Sequence, residues 1–204
     1  MPANKPYIIG LTGGIGCGKS EAAACLEALG AYRIDADGIS RKLTAQGGEA
    51  LPAIRGQFGD EVFFPDGTLD RRRLGGIVFS SVQHRRMLEA IIHPIVQRTA
   101  LAEIERVSAE GVPVVVLEVP LLFECGMDVL CDETWVVTAS PETQLLRVMA
   151  RGLSEQEARD RISSQMPAEE KAARATRIID TDRPIERTHA ELASLYQQTL
   201  KKLN

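Results

Sequence analysis

No pair among the four cysteines, Cys17, Cys25, Cys125 and Cys131, has the C-x-x-C spacing of a zinc or dithiol site. The three histidines, His84, His93 and His189, lie far apart in sequence, so a metal cage of His and Cys is not expected. No apolar run approaches the roughly 20 residues of a membrane span. The short one near the N-terminus breaks at glycines before it could serve as the apolar stretch of a secretion signal. An excess of positive charge is also missing: 24 Lys and Arg face 28 Asp and Glu, a formal charge of −4. A broad nucleic-acid surface needs the opposite balance. There is no internal repeat and no low-complexity segment. These exclusions point to a soluble, reduced, cytoplasmic protein with no membrane and no nucleic-acid partner.

What is present is ordinary for a globular chain, with 44% apolar and 25% charged residues. A length of 204 residues suits one α/β domain with room for an inserted subdomain. Tyr7 to Thr12 is an apolar run that reads as a buried strand. Ser20 to Leu29 is rich in Ala, Leu and Glu and reads as a helix that Gly30 stops. Tyr32 to Ile34 reads as a second strand, followed by Asp35. From about Gly38 to Gly111 the pattern is helical, with short helices at Ile39–Leu43 and Leu51–Phe58 and a turn at Phe63–Thr68. Asp70 is placed to cap a helix running to Phe79. A long helix then covers Val82–Val107 with a stripe of Met87, Leu88, Ile91, Ile92, Ile95 and Val96, and Pro94 should kink or split it. Val112–Val119, Glu133–Thr138 and Ile178–Ile179 read as strands. Helices are expected at Pro141–Arg151, Ser154–Gln165, Ala168–Ala175 and Pro184–Leu203, the second opened by a Ser154/Glu157 capping box. Strands alternating with helices predict a mostly parallel sheet covered on both faces.

Residues 13 to 20 read Gly-Gly-Ile-Gly-Cys-Gly-Lys-Ser and satisfy G-x-x-x-x-G-K-[ST] in full. Glycines let the backbone turn tightly and aim several N–H groups into one concavity. The helix that follows adds its N-terminal N–H groups and positive dipole end. Gly13, Gly14, Ile15, Gly16, Cys17, Gly18, Lys19 and Ser20 are therefore expected to hold the phosphates of a nucleoside triphosphate, which the family resemblance given below makes ATP. Lys19 would reach the β- and γ-phosphates, and Ser20 would offer its hydroxyl to Mg²⁺. Two readings stand for Cys17: a small side chain filling a tight turn, or a thiol whose pKa is lowered by N–H donors and Lys19 and which acts as a redox switch.

A P-loop alone fits several classes. The N-K-x-D of a guanine-specific switch is missing, and the chain is small for a motor, which leaves a small kinase. Asp35 and Asp37 follow the second strand, which in an open parallel sheet is the edge where ligands bind. A carboxylate there can accept the proton of an attacking hydroxyl. Asp35 reads as structural or metal-linked, and Asp37 as catalytic.

Six blocks, LTGGIGCGKS, IDAD with Arg41, DGTLDRR, IIHP, VPLLFE and SPETQLLRVMAR, together resemble the dephospho-coenzyme A kinase family. They lie in family order between residue 7 and about residue 180. The resemblance implies an α/β P-loop three-layer fold with a mostly parallel five-stranded sheet, a helical substrate-binding insert and a helical lid. It implies one kinase domain whose core takes in about 1–37, 112–146 and 176–204, with the insert at about 38–111 and the lid at about 147–175. The implied reaction moves the γ-phosphoryl of ATP, with Mg²⁺, to the ribose 3′-hydroxyl of dephospho-coenzyme A. Asp37 matches the family's base, Lys19 its P-loop lysine, and Arg151 its lid arginine, with Arg147 one turn earlier as a rival. Arg41, Arg72 and Arg73 could hold the coenzyme's phosphates by two-pronged hydrogen bonds. His93 is read either as a substrate contact or as a histidine beside a helix kink. Pro120, Leu121, Leu122 and Glu124 should line the acceptor site, although the leucines, like Phe123, suit packing equally well. Glu118 is where a carboxylate could help hold Mg²⁺ through water, or be paired with a buried base instead. The chain departs from the family at Cys17, where Ser is usual, and at Thr181, where Asn often stands near the adenine. A nucleoside or sugar kinase and a nucleotide-binding module without turnover are the competing classes. A monomer or a small homo-oligomer is expected.

Overall fold

The computed structural model describes residues 5–203, and the first four residues and Asn204, which the expected core takes in, lie outside them. Among the described residues five strands are formed: β1 (Tyr7–Gly13), β2 (Tyr32–Asp35), β3 (Val114–Glu118), β4 (Glu133–Thr138) and β5 (Arg177–Asp180). The helices are α1 (Lys19–Ala28), α2 (Ala36–Leu43), α3 (Leu51–Phe58), α4 (Arg71–Ser80), α5 (Val82–Ala109), α6 (Pro141–Met149), α7 (Glu155–Ser163), α8 (Ala168–Ala173) and α9 (Ile185–Leu203). The chain forms two compact units: Ala36–Glu103, and the rest, up to Asp35 and from Ile104 onward.

In the larger unit the strands lie in the order β2-β3-β1-β4-β5, every neighbouring pair parallel. β1 is central. A parallel sheet covered on both faces needs apolar residues at successive positions, and all five residues of β3 are buried. Register then decides which residues share a face. Ile9 pairs with Val116, and Leu11 pairs with both Glu118 and Trp135. Since side chains alternate with period two, Ile9, Leu11, Val114, Val116, Trp135, Val137 and Ile179 share one face. They pack with Ala22, Ala23 and Leu26 of α1 and Leu192 and Tyr196 of α9 in one buried cluster. Each fully buried aliphatic side chain there contributes about 1.5–3 kcal/mol. Ile8, Val115 and Leu117, on the opposite phase, are buried as well.

The smaller unit is helical. Asp70 caps α4 as expected, its Oδ1 accepting from the Arg73 N–H at 2.9 Å. The Phe63–Thr68 turn closes through the Phe64 N–H on the Thr68 carbonyl at 2.8 Å and a bridge between Phe63 and Leu69. The Arg55 guanidinium lies 3.9 Å from the centre of the Phe63 ring. Pro94 does not split the long helix, because α5 runs unbroken from Val82 to Ala109. A proline removes a single i→i−4 bond, and long helical flanks on both sides can carry the helix across that gap. In its stripe only Val96 is buried, while Met87, Leu88, Ile91, Ile92 and Ile95 are half-buried. In the larger unit α6 is shorter than expected. It ends at Met149, and Gly152 then adopts a φ of +88° that favours glycine. The capping box of α7 forms in full between Ser154 and Glu157.

Candidate active site

β1 delivers the chain to Gly13 at the centre of the sheet, and the loop runs from there into α1. Two glycines are required by close approach. A Cβ on Gly13 would meet the Val137 carbonyl oxygen at 2.5 Å, and one on Gly16, where φ is +82°, would meet the Gln144 carbonyl oxygen at 2.8 Å. Gly18 stands at the N-cap of α1 with φ 84° and offers no side chain to cap the helix. The first N–H groups of α1 and its positive dipole end are thereby presented to an anion at the loop.

Beneath the loop lies a buried carboxylate. Glu118 closes β3 and, in register with Leu11, points to the face that α1 covers. Its Oε1 accepts from Lys19 Nζ at 2.9 Å and from Ser20 Oγ at 2.9 Å. Its Oε2 accepts from Arg33 Nε at 2.9 Å and Arg33 Nη2 at 2.7 Å. Burial pushes the Glu118 carboxyl up. The hydrogen bond and charge of Lys19, with Ser20 and Arg33, outweigh it and hold the group below the usual carboxylate range. The carboxylate is therefore ionised and satisfied by four donors.

On the other side, the loop is clasped by a polar network. Arg147 of α6 donates through Nη1 to the Gly16 carbonyl at 3.3 Å and to Thr181 Oγ1 at 2.9 Å, and through Nη2 to the Thr181 carbonyl at 2.9 Å. The Thr181 hydroxyl lies 2.9 Å from the Cys17 carbonyl and 3.0 Å from the Thr138 carbonyl. Its one proton serves these two acceptors in turn. The Cys17 side chain is buried, and burial pushes its thiol up. That opposes the lowered pKa a redox switch requires, so Cys17 fits the reading of a small residue in a tight turn.

The segment after α7 also reaches the loop. Gln165 Oε1 accepts from the Ile15 N–H at 2.8 Å. Lys171 of α8 is 1% exposed, and its Nζ donates to the Pro120 carbonyl at 2.8 Å and pairs with Glu124 Oε1 at 2.9 Å. Glu124 Oε1 also accepts from the Met166 N–H at 3.3 Å. Thr12 Oγ1 donates to the same Pro120 carbonyl at 3.1 Å. Among the residues expected to line an acceptor site, Pro120 and Glu124 thus belong to this polar brace. Leu122 is fully buried, Leu121 is half-buried, and Phe123 is buried with the Arg174 guanidinium 4.4 Å from its ring centre.

The other expected site residues divide between the units. Arg151, just past the end of α6, is exposed. Asp35 ends β2 in register with Glu118. Asp37 is the second residue of α2 and is exposed. Within the smaller unit, Arg71 Nη2 donates to the Arg41 carbonyl at 3.1 Å. This contact makes the last turn of α2 and the first turn of α4 neighbours, so Arg41, Arg72 and Arg73, all exposed, share one region. His93 is half-buried in the middle of α5.

Arg33, Gln165 and Lys171 contact the loop or its supports without having been singled out by type or spacing, and Thr181, singled out only for its place near the adenine, does so as well. Arg33 alone had a local signal, a charged residue inside a strand beside Asp35. Among the described residues, no cluster of three or more His, Cys, Asp or Glu could hold a metal ion.

The dephospho-CoA kinase family model matches residues 7–187. A protein named dephospho-CoA kinase from Symbiobacterium thermophilum is 48% identical over 191 residues, covering 93% of this chain and 80% of its own length. One from Geobacter sulfurreducens is 47% identical over 176 residues, 86% of this chain and 89% of its own length. Among solved structures, TT1252 from Thermus thermophilus superposes with a TM-score of 0.81 at 37% identity, covering 96% of this chain and 98% of that one.

Proposed function

The chain belongs to the dephospho-CoA kinase family, and we propose that it carries out this family's reaction with the P-loop as the donor side and the helical insert as the acceptor side. The reaction is the ATP-dependent phosphorylation of dephospho-CoA at its ribose 3′-hydroxyl, giving CoA and ADP in the last step of CoA biosynthesis. One observation carries the reading: a complete Gly13–Ser20 P-loop, joined to the central strand and opening α1, inside a chain matched by the family over residues 7–187.

Phosphoryl transfer asks a protein chiefly for positioning and charge stabilisation. In this reading the loop amides and the start of α1 hold the triphosphate. Lys19 moves from Glu118 to the β- and γ-phosphates. Asp37, two residues beyond the end of β2, accepts the proton of the attacking hydroxyl. Arg151 of the lid, about residues 147–175, neutralises charge on the transferring group. Arg41, Arg72 and Arg73 of the insert, about residues 38–111, bind the coenzyme's phosphates, with His93 as a further contact. The donor set also fits Mg²⁺. Ser20 Oγ already gives its proton to Glu118, which leaves its lone pairs for a cation, and a nucleotide-bound Mg²⁺ needs few protein ligands. Ser20, with Glu118 through water, would hold the ion, whose charge would offset part of that of the phosphates. The reading places the enzyme in the cytoplasm as a monomer or small homo-oligomer.

The test is direct. Purified protein is incubated with Mg-ATP and dephospho-CoA, and products are read by mass. ADP with CoA supports the reading. No CoA, together with product from a nucleoside or sugar acceptor, overturns it.

A further inference from the structure

We propose that Arg33 is a positioning residue for nucleotide binding: it is the standing counter-ion of Glu118, and it lets Lys19 leave that carboxylate for a nucleotide's phosphates without stranding a buried charge. The inference rests on the P-loop reading of Lys19 given above.

The geometry is specific. Arg33 lies on β2 in register with Val116, and Asp35 lies in register with Glu118. Arg33 and Glu118 therefore stand diagonally on one face of neighbouring strands, within reach of a long side chain. The Glu118 side chain is 2% exposed, the Lys19 side chain 11% and the Arg33 side chain 23%. Arg33 takes Oε2 with both Nε and Nη2, at 2.9 and 2.7 Å. Oε1 is left to Lys19 and Ser20. A guanidinium can hold one carboxylate oxygen with two N–H groups in a fixed plane, which an ammonium cannot do. The far side of Arg33 faces Glu27, 3.6 Å away.

The consequence concerns charge. Lys19 and Arg33 together carry two positive charges against the one of Glu118. Nucleotide phosphates draw Lys19 away, and Glu118 must then remain ionised in a buried place. An unpaired buried charge is costly. With Arg33 present, one cation stays on Oε2 throughout. Without it, Lys19 is the one cation left on Glu118 among the described residues, and its departure opposes binding. The effect falls on nucleotide affinity and does not need a metal or turnover to be seen. A merely structural tie between β2 and β3 makes a different prediction. Removing the second partner would then never restore what removing the first had lost.

The experiment measures ADP binding by calorimetry in the presence of EDTA, so that no metal contributes. Wild type, Arg33→Met, Arg33→Lys, Arg33→Met with Glu118→Gln, and Lys19→Ala are compared, each checked for folding by circular dichroism. Arg33→Met should weaken ADP by about tenfold or more, and Arg33→Lys should lose less. The double variant should return to within about threefold of wild type, because the charge that trapped Lys19 is gone. Arg33→Met binding within about twofold of wild type would overturn the proposal. So would a double variant that binds as weakly as the single. If Arg33→Met does not fold, Arg33→Gln, alone and with Glu118→Gln, is read by the same two criteria. The underlying reading fails separately: Lys19→Ala binding ADP as tightly as wild type would remove Lys19 from the phosphate site, whatever Arg33 does.

Discussion

Arg147 and Arg151 are four residues apart and compete for the role of lid cation, and substituting each by Met should separate them. Arg147 is half-buried, with three hydrogen bonds that join α6 to the P-loop carbonyl of Gly16 and to both acceptors of Thr181. A hydrogen bond involving a charged group contributes about 1.5–3 kcal/mol, and bonds sharing one guanidinium do not add fully. Arg147→Met should therefore cost about 2–4 kcal/mol of stability. In a chain of this size that lowers the melting temperature by roughly 5–15 °C. Arg151 is exposed, so Arg151→Met should leave stability within about 0.5 kcal/mol. If Arg151 supplies charge at the transferring group, the same change should lower kcat by about 10²–10³. The assay pairs urea unfolding at constant m-value with steady-state production of CoA. The reasoning is refuted if Arg147→Met unfolds at the wild-type midpoint while losing kcat, and Arg151→Met keeps its kcat. That result would make Arg147 the transferring cation and its clasp incidental.

Three further outcomes follow from other parts of the molecule. Asp37→Asn should cut kcat while ADP affinity measured in EDTA stays within about twofold; a collapse of affinity would mean that Asp37 holds the nucleotide and is not the base. Lys19→Ala should lower turnover by about 10²–10³, and an unchanged rate would dismiss it from the site. Glu133 is buried and bonded to Lys202, Trp135 and Arg177, and burial, which pushes its carboxyl up, is outweighed by these partners, so it is lowered from 4.5 to about 2. A depressed folded pKa stabilises the fold fully above the unfolded value and loses that contribution as pH falls towards the folded one. Stability on the order of 3 kcal/mol should therefore be lost between about pH 4.5 and pH 2. Glu133→Gln should flatten the stability-against-pH curve in that window, and a slope equal to wild type would show the attribution to be wrong.

The P-loop was legible in the sequence because its requirements are local. Glycine, lysine and serine act within eight consecutive residues, and the strand before and helix after are written in adjacent apolar and Ala-rich runs. The capping box of α7 and the Asp70 cap were legible for the same reason. Arg33 was not, since its meaning depends on register. Only the parallel pairing of β2 with β3 puts it diagonal to Glu118, 85 residues away. Lys171 lies in Ala-Glu-Glu-Lys-Ala-Ala, which reads as a solvated helix, yet it is 1% exposed because α8 turns it toward the Pro120 carbonyl. Pro94 misled in the other direction. Its cost was read as a kink or a split, and the split does not occur because the cooperative length of α5 carries the helix across it.

The two departures from the family pattern, Cys17 and Thr181, turn out to be neighbours: the Thr181 hydroxyl lies 2.9 Å from the Cys17 carbonyl. Thr181 therefore has a structural task that its place beside the expected adenine position did not announce. Its hydroxyl links the P-loop to the end of β4 at the Thr138 carbonyl, and its oxygen accepts from Arg147. Arg147 in turn holds the Gly16 carbonyl. The loop carbonyls at 16 and 17 are thus fixed by one connected set of donors on the side away from Glu118, while Glu118 engages Lys19 and Ser20. Fixing the carbonyls orients the peptide planes, and peptide planes orient the N–H groups that must converge on a phosphate. The residue that the sequence marked as a weakness in base recognition is, in the structure, part of what fixes the Gly13–Ser20 loop. In the proposed kinase reading, side-chain recognition of adenine by Thr181 would have to break that set.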